Sequence, residues 1–217
     1  MDIINLEEQN SILNRFIAET RDREIQQDRL RFRRNLERIG EIFAYEISKT
    51  MAYEKSSVTT PLGTKEVMMP RHQPILSTIL RAGLPLHQGL LNYFDNSDNA
   101  FISAYRKYDK EGNFDIYLEY ASSPDLNDAT LIISDPMLAT SASMLLTYKE
   151  LLQAGAPRHV HIVTIIASRK GVDVLAENIH ENNVTLWVGS VDPLLNDKAY
   201  IIPGLGDAGD LAYGMKR

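Results

Sequence analysis

The chain has 217 residues, 44% of them hydrophobic, no cysteine and a formal net charge of −6. Such a length and apolar share suit one α/β domain, residues 1–217, with a substantial core and little left over for a second. The missing cysteines exclude disulfides and cysteine nucleophiles, and the acidic balance argues against nucleic acid or an anionic membrane as partner.

The opening MDIINLEEQN carries acids and no apolar run, so no signal peptide is expected. No stretch approaches the roughly 20 apolar residues of a membrane span, and a soluble cytoplasmic protein is the plain expectation. Within the N-terminal region, 1–55, apolar residues recur at three and four: Ile12, Leu13, Phe16 and Ile17, then Phe32, Leu36, Ile39, Phe43 and Ile47. This spacing predicts two amphipathic helices. Arg21, Arg23, Arg29, Arg31, Arg33, Arg34 and Arg38 accompany them, read as a solvated face paired with Glu24, Asp28, Glu37 and Glu41. A subunit interface or an anionic-effector site is the sharper alternative.

Residues 57–69, SVTTPLGTKEVMM, suggest a hairpin with short arms around Pro-Leu-Gly, suited to reaching a partner subunit. The core, 74–217, then begins with an apolar strand over 74–80 that ends in Arg81-Ala82-Gly83 before a helix over 84–94. That turn is a candidate anion loop. Strand-like runs at 101–108 and 114–121 flank the polar turn 109–113, with Arg106 and Lys107 at its base. These cations are either solvated or able to fold over a bound anion.

Thr130 to Ser143 reads TLIISDPMLATSAS. A buried strand feeds a loop of small hydroxyl residues, and a helix opens at Ser143. The free N–H groups and positive dipole end of such a helix make a phosphate cradle, with the hydroxyls of Thr140, Ser141 and Ser143 as added donors. The helix runs over 144–154 to Gly155 and Pro157. A β-branched strand at 160–167, a helix at 172–179 and a strand at 184–191 complete an alternating pattern, which predicts a parallel sheet with helices on both sides. Ligands then gather at the carboxyl ends of the strands, where Arg81, Asp135 and the segments around Arg169 and Asp192 fall. The closing YIIPGLGDAGD, 200–210, is rich in Gly and Pro and reads as a rigid exposed loop, neither helix nor strand.

No nucleophile–base pair, dinucleotide fingerprint or P-loop is visible. His159 and His161 share one face of a strand; a metal half-site is possible, but local satisfaction is the better account without a third ligand.

DPMLAT resembles the phosphoribosyl-pyrophosphate (PRPP) motif of the uracil phosphoribosyltransferases. ILRAGLP and YIIPGLGDAGD resemble the same family's pyrophosphate and uracil loops, in the family's order and along nearly the whole chain. The resemblance implies a type I phosphoribosyltransferase fold, a twisted parallel sheet flanked by helices with N-terminal helices and a β-hairpin arm. It implies the reaction of uracil and PRPP to UMP and diphosphate, with Mg2+ entering on the substrate diphosphate and no direct protein ligand. Arg81 and Arg106 would bind diphosphate. Asp135, Pro136, Met137, Leu138, Ala139, Thr140, Ser141, Ala142 and Ser143 would hold the ribose and 5′-phosphate. Ile201, Gly206 and Ala208 would meet uracil through backbone, and Asp207 would face PRPP, with Asp135, Arg106 and Asp207 nearest the chemistry. A homodimer or higher homo-oligomer is implied, and GTP is an effector of some relatives.

The physics agrees with these roles. Displacing diphosphate builds positive charge on the ribose and negative charge on the leaving group, so catalysis needs positioning and electrostatics rather than a protein nucleophile. Guanidinium groups suit diphosphate, and bare backbone complements the two carbonyls and N–H of uracil. Pro136 stands where many phosphoribosyltransferases carry a second acid. Ser141-Ala142 stands where the family usually has two glycines, and a positive φ there would cost about 1–2 kcal/mol. That departure motivates one alternative, a binding or regulatory protein of weakened activity; a transferase for another base is the other, because a backbone-made loop is silent about side-chain selection.

Overall fold

The computed structural model describes residues 1–108 and 114–215; the side chains of 104–108 and 114–118 also lie outside the description. In chain order the first half comprises β1 (Asp2–Asn5), α1 (Leu13–Arg21), α2 (Arg29–Ser48), β2 (Tyr53–Thr60), β3 (Gly63–Pro70), β4 (Ile75–Leu80), α3 (Leu84–Leu91), β5 (Asn99–Tyr108) and β6 (Phe114–Ser122). The second comprises β7 (Thr130–Ser134), β8 (Met137–Leu138), α4 (Ala142–Leu151), β9 (His159–Ser168), α5 (Arg169–Asn178), β10 (Val184–Asp192), β11 (Leu194–Leu195), β12 (Ile201–Ile202) and α6 (Ala208–Tyr213).

The sheet runs β1-β10-β9-β7-β4-β5-β6, with β8 pairing β9 beyond the end of β7. All these pairs are parallel except β5 with β6. β9 and β10 are buried along almost their whole length, which is why their sequences are continuous apolar and β-branched runs rather than alternating ones. One face of the sheet is covered by α1, α2, α3 and α6, with Phe32, Leu36, Ile39, Phe43 and Ile47 of α2 in the core. The other face packs against α4 and α5 through Met144, Tyr148, Leu151, Val172 and Leu175. Asp28 caps α2, accepting from the N–H groups of Leu30 and Arg31 at 3.0 Å. α2 crosses α3 closely at Gly40, where a Cβ would stand 2.3 Å from the carbonyl of Leu86.

Four features differ from the sequence reading. The N-terminal region is not purely helical, because Asp2–Asn5 forms an edge strand beside β10, too short to show a period of its own. The hairpin arms are eight residues each rather than short, and nearly every residue is exposed. α4 opens at Ala142, one residue early, with Ser141 as its cap. The segment 200–210 is not a simple exposed loop: Ile201 and Ile202 pair with β11, α6 starts at Ala208, and Ile201, Leu205 and Ala208 are buried. Its apolar residues find a core that its Gly and Pro content conceals.

Candidate active site

The parallel strands end on one edge, and the turns that follow β4, β7 and β10 meet there. Gly83, after β4, packs so tightly that a Cβ would lie 2.0 Å from Thr78 Oγ1 and 3.2 Å from the carbonyl of Ser134 at the end of β7. Thr78 Oγ1 donates to that same Ser134 carbonyl at 3.1 Å. Arg81 reaches the C-terminal segment: its Nη2 donates to Asp210 Oδ1 at 2.8 Å and to the Gly214 carbonyl at 2.7 Å. A Cβ on Gly209 would fall 3.6 Å from Arg81 Nε and 3.2 Å from Asp207 Oδ1. Segments near 81, 135 and 207, far apart in sequence, thus form one rim.

The cradle between β7 and α4 has a firm backing. Asp135 N–H continues the sheet by donating to Val163 O at 3.0 Å, and Ile166 N–H donates to Pro136 O at 3.1 Å. Met137 and Leu138 pair with Ile166 and Ala167. Ser168 Oγ, the cap of α5, donates to Ala139 O at 2.6 Å and accepts from Gly171 N–H at 2.8 Å. Ser141 adopts φ 65°, and its hydroxyl donates to Gly171 O at 2.5 Å. No side chain caps the first turn of α4, so its N–H groups face the turn with the positive helix end.

The segment from Ile201 to Ala208 is equally shaped by backbone. Gly204 and Gly206 have φ of 58° and 98°, a region glycine enters without the penalty of a side chain. Asp207 caps α6, its Oδ1 accepting from Asp210 N–H at 2.9 Å. The Leu80–Arg81 and Ile202–Pro203 peptides are cis.

A sequence model of the family described as uracil phosphoribosyltransferase matches residues 7–215. A uracil phosphoribosyltransferase from Porphyromonas gingivalis is 57% identical over 216 residues, covering 100% of both chains. The chain belongs to the uracil phosphoribosyltransferase family. A uracil phosphoribosyltransferase from Pyrococcus furiosus is 35% identical over 95% of this chain and 88% of that protein. The AQ2163 protein of Aquifex aeolicus superposes with a TM-score of 0.86 at 31% identity, covering 98% of each chain. The sheet and its flanking helices are accordingly the type I phosphoribosyltransferase fold.

Within this uracil phosphoribosyltransferase frame, the positions read from sequence divide in two. Arg81, Asp135, Met137, Ala139, Thr140, Ala142, Ser143, Gly206 and Asp207 sit on the rim with at least part of their surface open. Pro136, Leu138, Ile201 and Ala208 are buried, so their side chains belong to the packing behind the rim. Ser141 corrects the expectation: its hydroxyl is buried and committed to Gly171, not offered to phosphate. Arg106 lies on β5 opposite Ile116, and its side chain lies outside the described residues.

His159 and His161 lie at the amino-terminal end of β9, away from the rim. Their rings are 4.4 Å apart, Trp187 Nε1 donates to His161 Nδ1 at 3.0 Å, and His159 Nε2 meets Thr185 Oγ1 at 3.0 Å. Burial, with His159 adding to it, pushes the His161 pKa down to about 3. The ring is therefore a neutral core group.

Sequence reasoning missed Ser168, Gly171, Arg21 and Gly204 as supports of the site. The sequence reading puts Arg81, Asp135 and the segments around Arg169 and Asp192 at this edge, without giving Ser168, Gly171, Arg21 or Gly204 a supporting role. A serine at 141, where the resembled family has glycine, is the only sequence hint of the first pair, and Arg21 has none.

Proposed function

We propose that the chain transfers the phosphoribosyl group of PRPP to uracil, giving UMP and diphosphate for pyrimidine salvage. The observation that carries this reading is the meeting of the Arg81 turn, the 135–143 cradle and the 201–208 turn on one sheet edge. In it the first turn of α4 binds the 5′-phosphate through backbone N–H groups. Arg81, with Arg106, neutralises the diphosphate, for which a guanidinium is suited by its paired donors. Asp135 accepts from ribose hydroxyls and favours the positive charge that grows on the ring. Backbone around Ile201, Gly206 and Ala208 presents the N–H and C=O groups that match uracil and leave cytosine with unpaired edges.

Among the described residues no group of three His, Asp or Glu is arranged to hold a metal alone. The donor chemistry fits Mg2+ carried on the diphosphate: Asp135 and Asp207 stand on the turns of this rim, and carboxylates suit the waters of such an ion. When bound, the ion would spread the charge of the leaving diphosphate.

The exposed hairpin, with Val58, Leu62, Met68 and Met69 in solvent, supports a homodimer or higher homo-oligomer, since a two-stranded ribbon is poorly stable alone. Sedimentation of the intact chain tests this.

Labelled uracil with PRPP and Mg2+ should yield UMP, and cytosine or purines should not compete. No product at high enzyme concentration overturns the activity; equal competition by another base overturns the substrate.

A further inference from the structure

The turn carrying Gly204 is held from behind by groups supplied from the opposite end of the chain. Arg21 ends α1 and Asp192 ends β10. Their side chains form a forked pair, Nη1 to Oδ2 at 2.7 Å and Nη2 to Oδ1 at 2.8 Å. The same guanidinium donates from Nη1 to the Gly204 carbonyl at 3.1 Å and from Nη2 to Ser190 Oγ at 2.9 Å. The carboxylate in turn accepts from Gly204 N–H at 2.9 Å. Side-chain exposure is 21% for Arg21 and 7% for Asp192, so the pair is largely removed from water.

One ion pair thereby grips both polar groups of a single residue, the cation its carbonyl and the anion its N–H. Charged hydrogen bonds are stronger and more directional than neutral ones, particularly where solvent is excluded. The turn has little slack: a Cβ on Gly204 would stand 2.2 Å from Ile201 O. Gly206 and Asp207 follow only two and three residues later. Neither Arg21 nor Asp192 lies on the segments that meet the ligand.

We infer that Arg21 and Asp192 are positioning residues for the nucleobase turn, which set where the backbone of 201–208 stands and so govern pyrimidine affinity separately from PRPP affinity. This rests on the activity proposed above. Lysine keeps the charge of Arg21 but cannot bond Asp192, Ser190 and Gly204 together from one planar fork. Asparagine keeps the shape of Asp192 but removes its charge.

The test uses Arg21→Lys and Asp192→Asn in the full chain, with thermal melting to establish folding. For the folded variants the KM for uracil should rise roughly tenfold or more, because small misplacements of a binding group have effects of that size. The KM for PRPP should stay within about twofold, as for a change confined to one substrate's contacts. Amide exchange at 204–207 should accelerate while that at 142–146 stays unchanged. Equal movement of both KM values, or unaltered exchange at 204–207, overturns the inference. So does failure of both variants to fold, which would make the pair a general folding element. Wild-type protein that makes no UMP sinks the activity instead, and the exchange comparison still decides for the turn.

Discussion

Arg81 Nη2 stands 2.8 Å from Asp210 Oδ1, a contact that joins the turn after β4 to the C-terminal helix across 129 residues of sequence. Both side chains are about one-third exposed. A pair that open to solvent contributes at most about 1 kcal/mol. Asp210→Ala should thus lower stability by less than about 1 kcal/mol in urea denaturation. Arg81→Ala should instead depress kcat/KM by at least about tenfold with a similarly small stability change, since its guanidinium is the group proposed to bind the diphosphate. Steady-state kinetics beside denaturation curves separate the two, and wild-type kinetics for Arg81→Ala would remove it from the site.

Ser141 occupies a left-handed conformation and offsets it with the bond to Gly171 O. Ser141→Ala keeps the strain and loses the bond, so it should cost about 1 kcal/mol. Ser141→Gly loses the bond but relieves about 1–2 kcal/mol of strain, and should lie within about 1 kcal/mol of wild type. Equal denaturation midpoints for the two variants would contradict this account.

Gly171 is fitted against the cradle. A Cβ there would stand 2.5 Å from Ala139 O and 2.6 Å from Leu138 O, both rigid backbone atoms. Gly171→Ala should therefore destabilise by about 1–3 kcal/mol as overpacking. It should also raise the KM for PRPP more than that for uracil, because the displaced segment is the one proposed to hold the 5′-phosphate. A KM change confined to uracil would show that α5 does not support the cradle.

Acid should weaken the fold through His161. Trp187 donates to its Nδ1 and burial holds its pKa near about 3, so the folded ring stays neutral. The unfolded ring takes up a proton below about pH 6.5. Stability is therefore fully present above about pH 6.5 and is lost as the pH falls toward about 3. Glu19, held down to about 2 chiefly by Arg31 and then Asn35, acts only below its ordinary value of 4.5. Melting temperatures between about pH 6.5 and about pH 4.5 leave Glu19 out, and because burial also lowers the pKa of His87 and His159, a variant apportions the slope among the three rings. His161→Gln retains an acceptor for Trp187 and should flatten the slope in that window; an unchanged slope would assign it to another group.

The hairpin β2–β3, the strands β4 to β7, β9 and β10 and the three loops could be read from local pattern, while the short strands β1, β8, β11 and β12 could not. Continuous apolar runs such as 160–167 mark strands buried on both faces, small hydroxyl residues between strand and helix mark an anion cradle, and three motifs in register carry the family. These signals are local because hydrophobic periodicity, helix caps and turn chemistry act over a few residues. The His159 and His161 pair was also correctly read as locally satisfied.

What only the tertiary structure decided concerns partners chosen across long separations. Arg21 looked like one more solvated arginine, yet it meets Asp192, 171 residues away, and grips Gly204. Ser141 looked like a phosphate donor, yet its hydroxyl turns inward to Gly171. Residues 200–210 looked exposed, yet Ile201 and Leu205 enter the core. A charge or hydroxyl has the same local signature whether it faces water or a buried partner. The choice depends on which distant groups the packed sheet brings within 3 Å or so, where direct hydrogen bonding begins, and that is a property of the folded chain rather than of any segment in it.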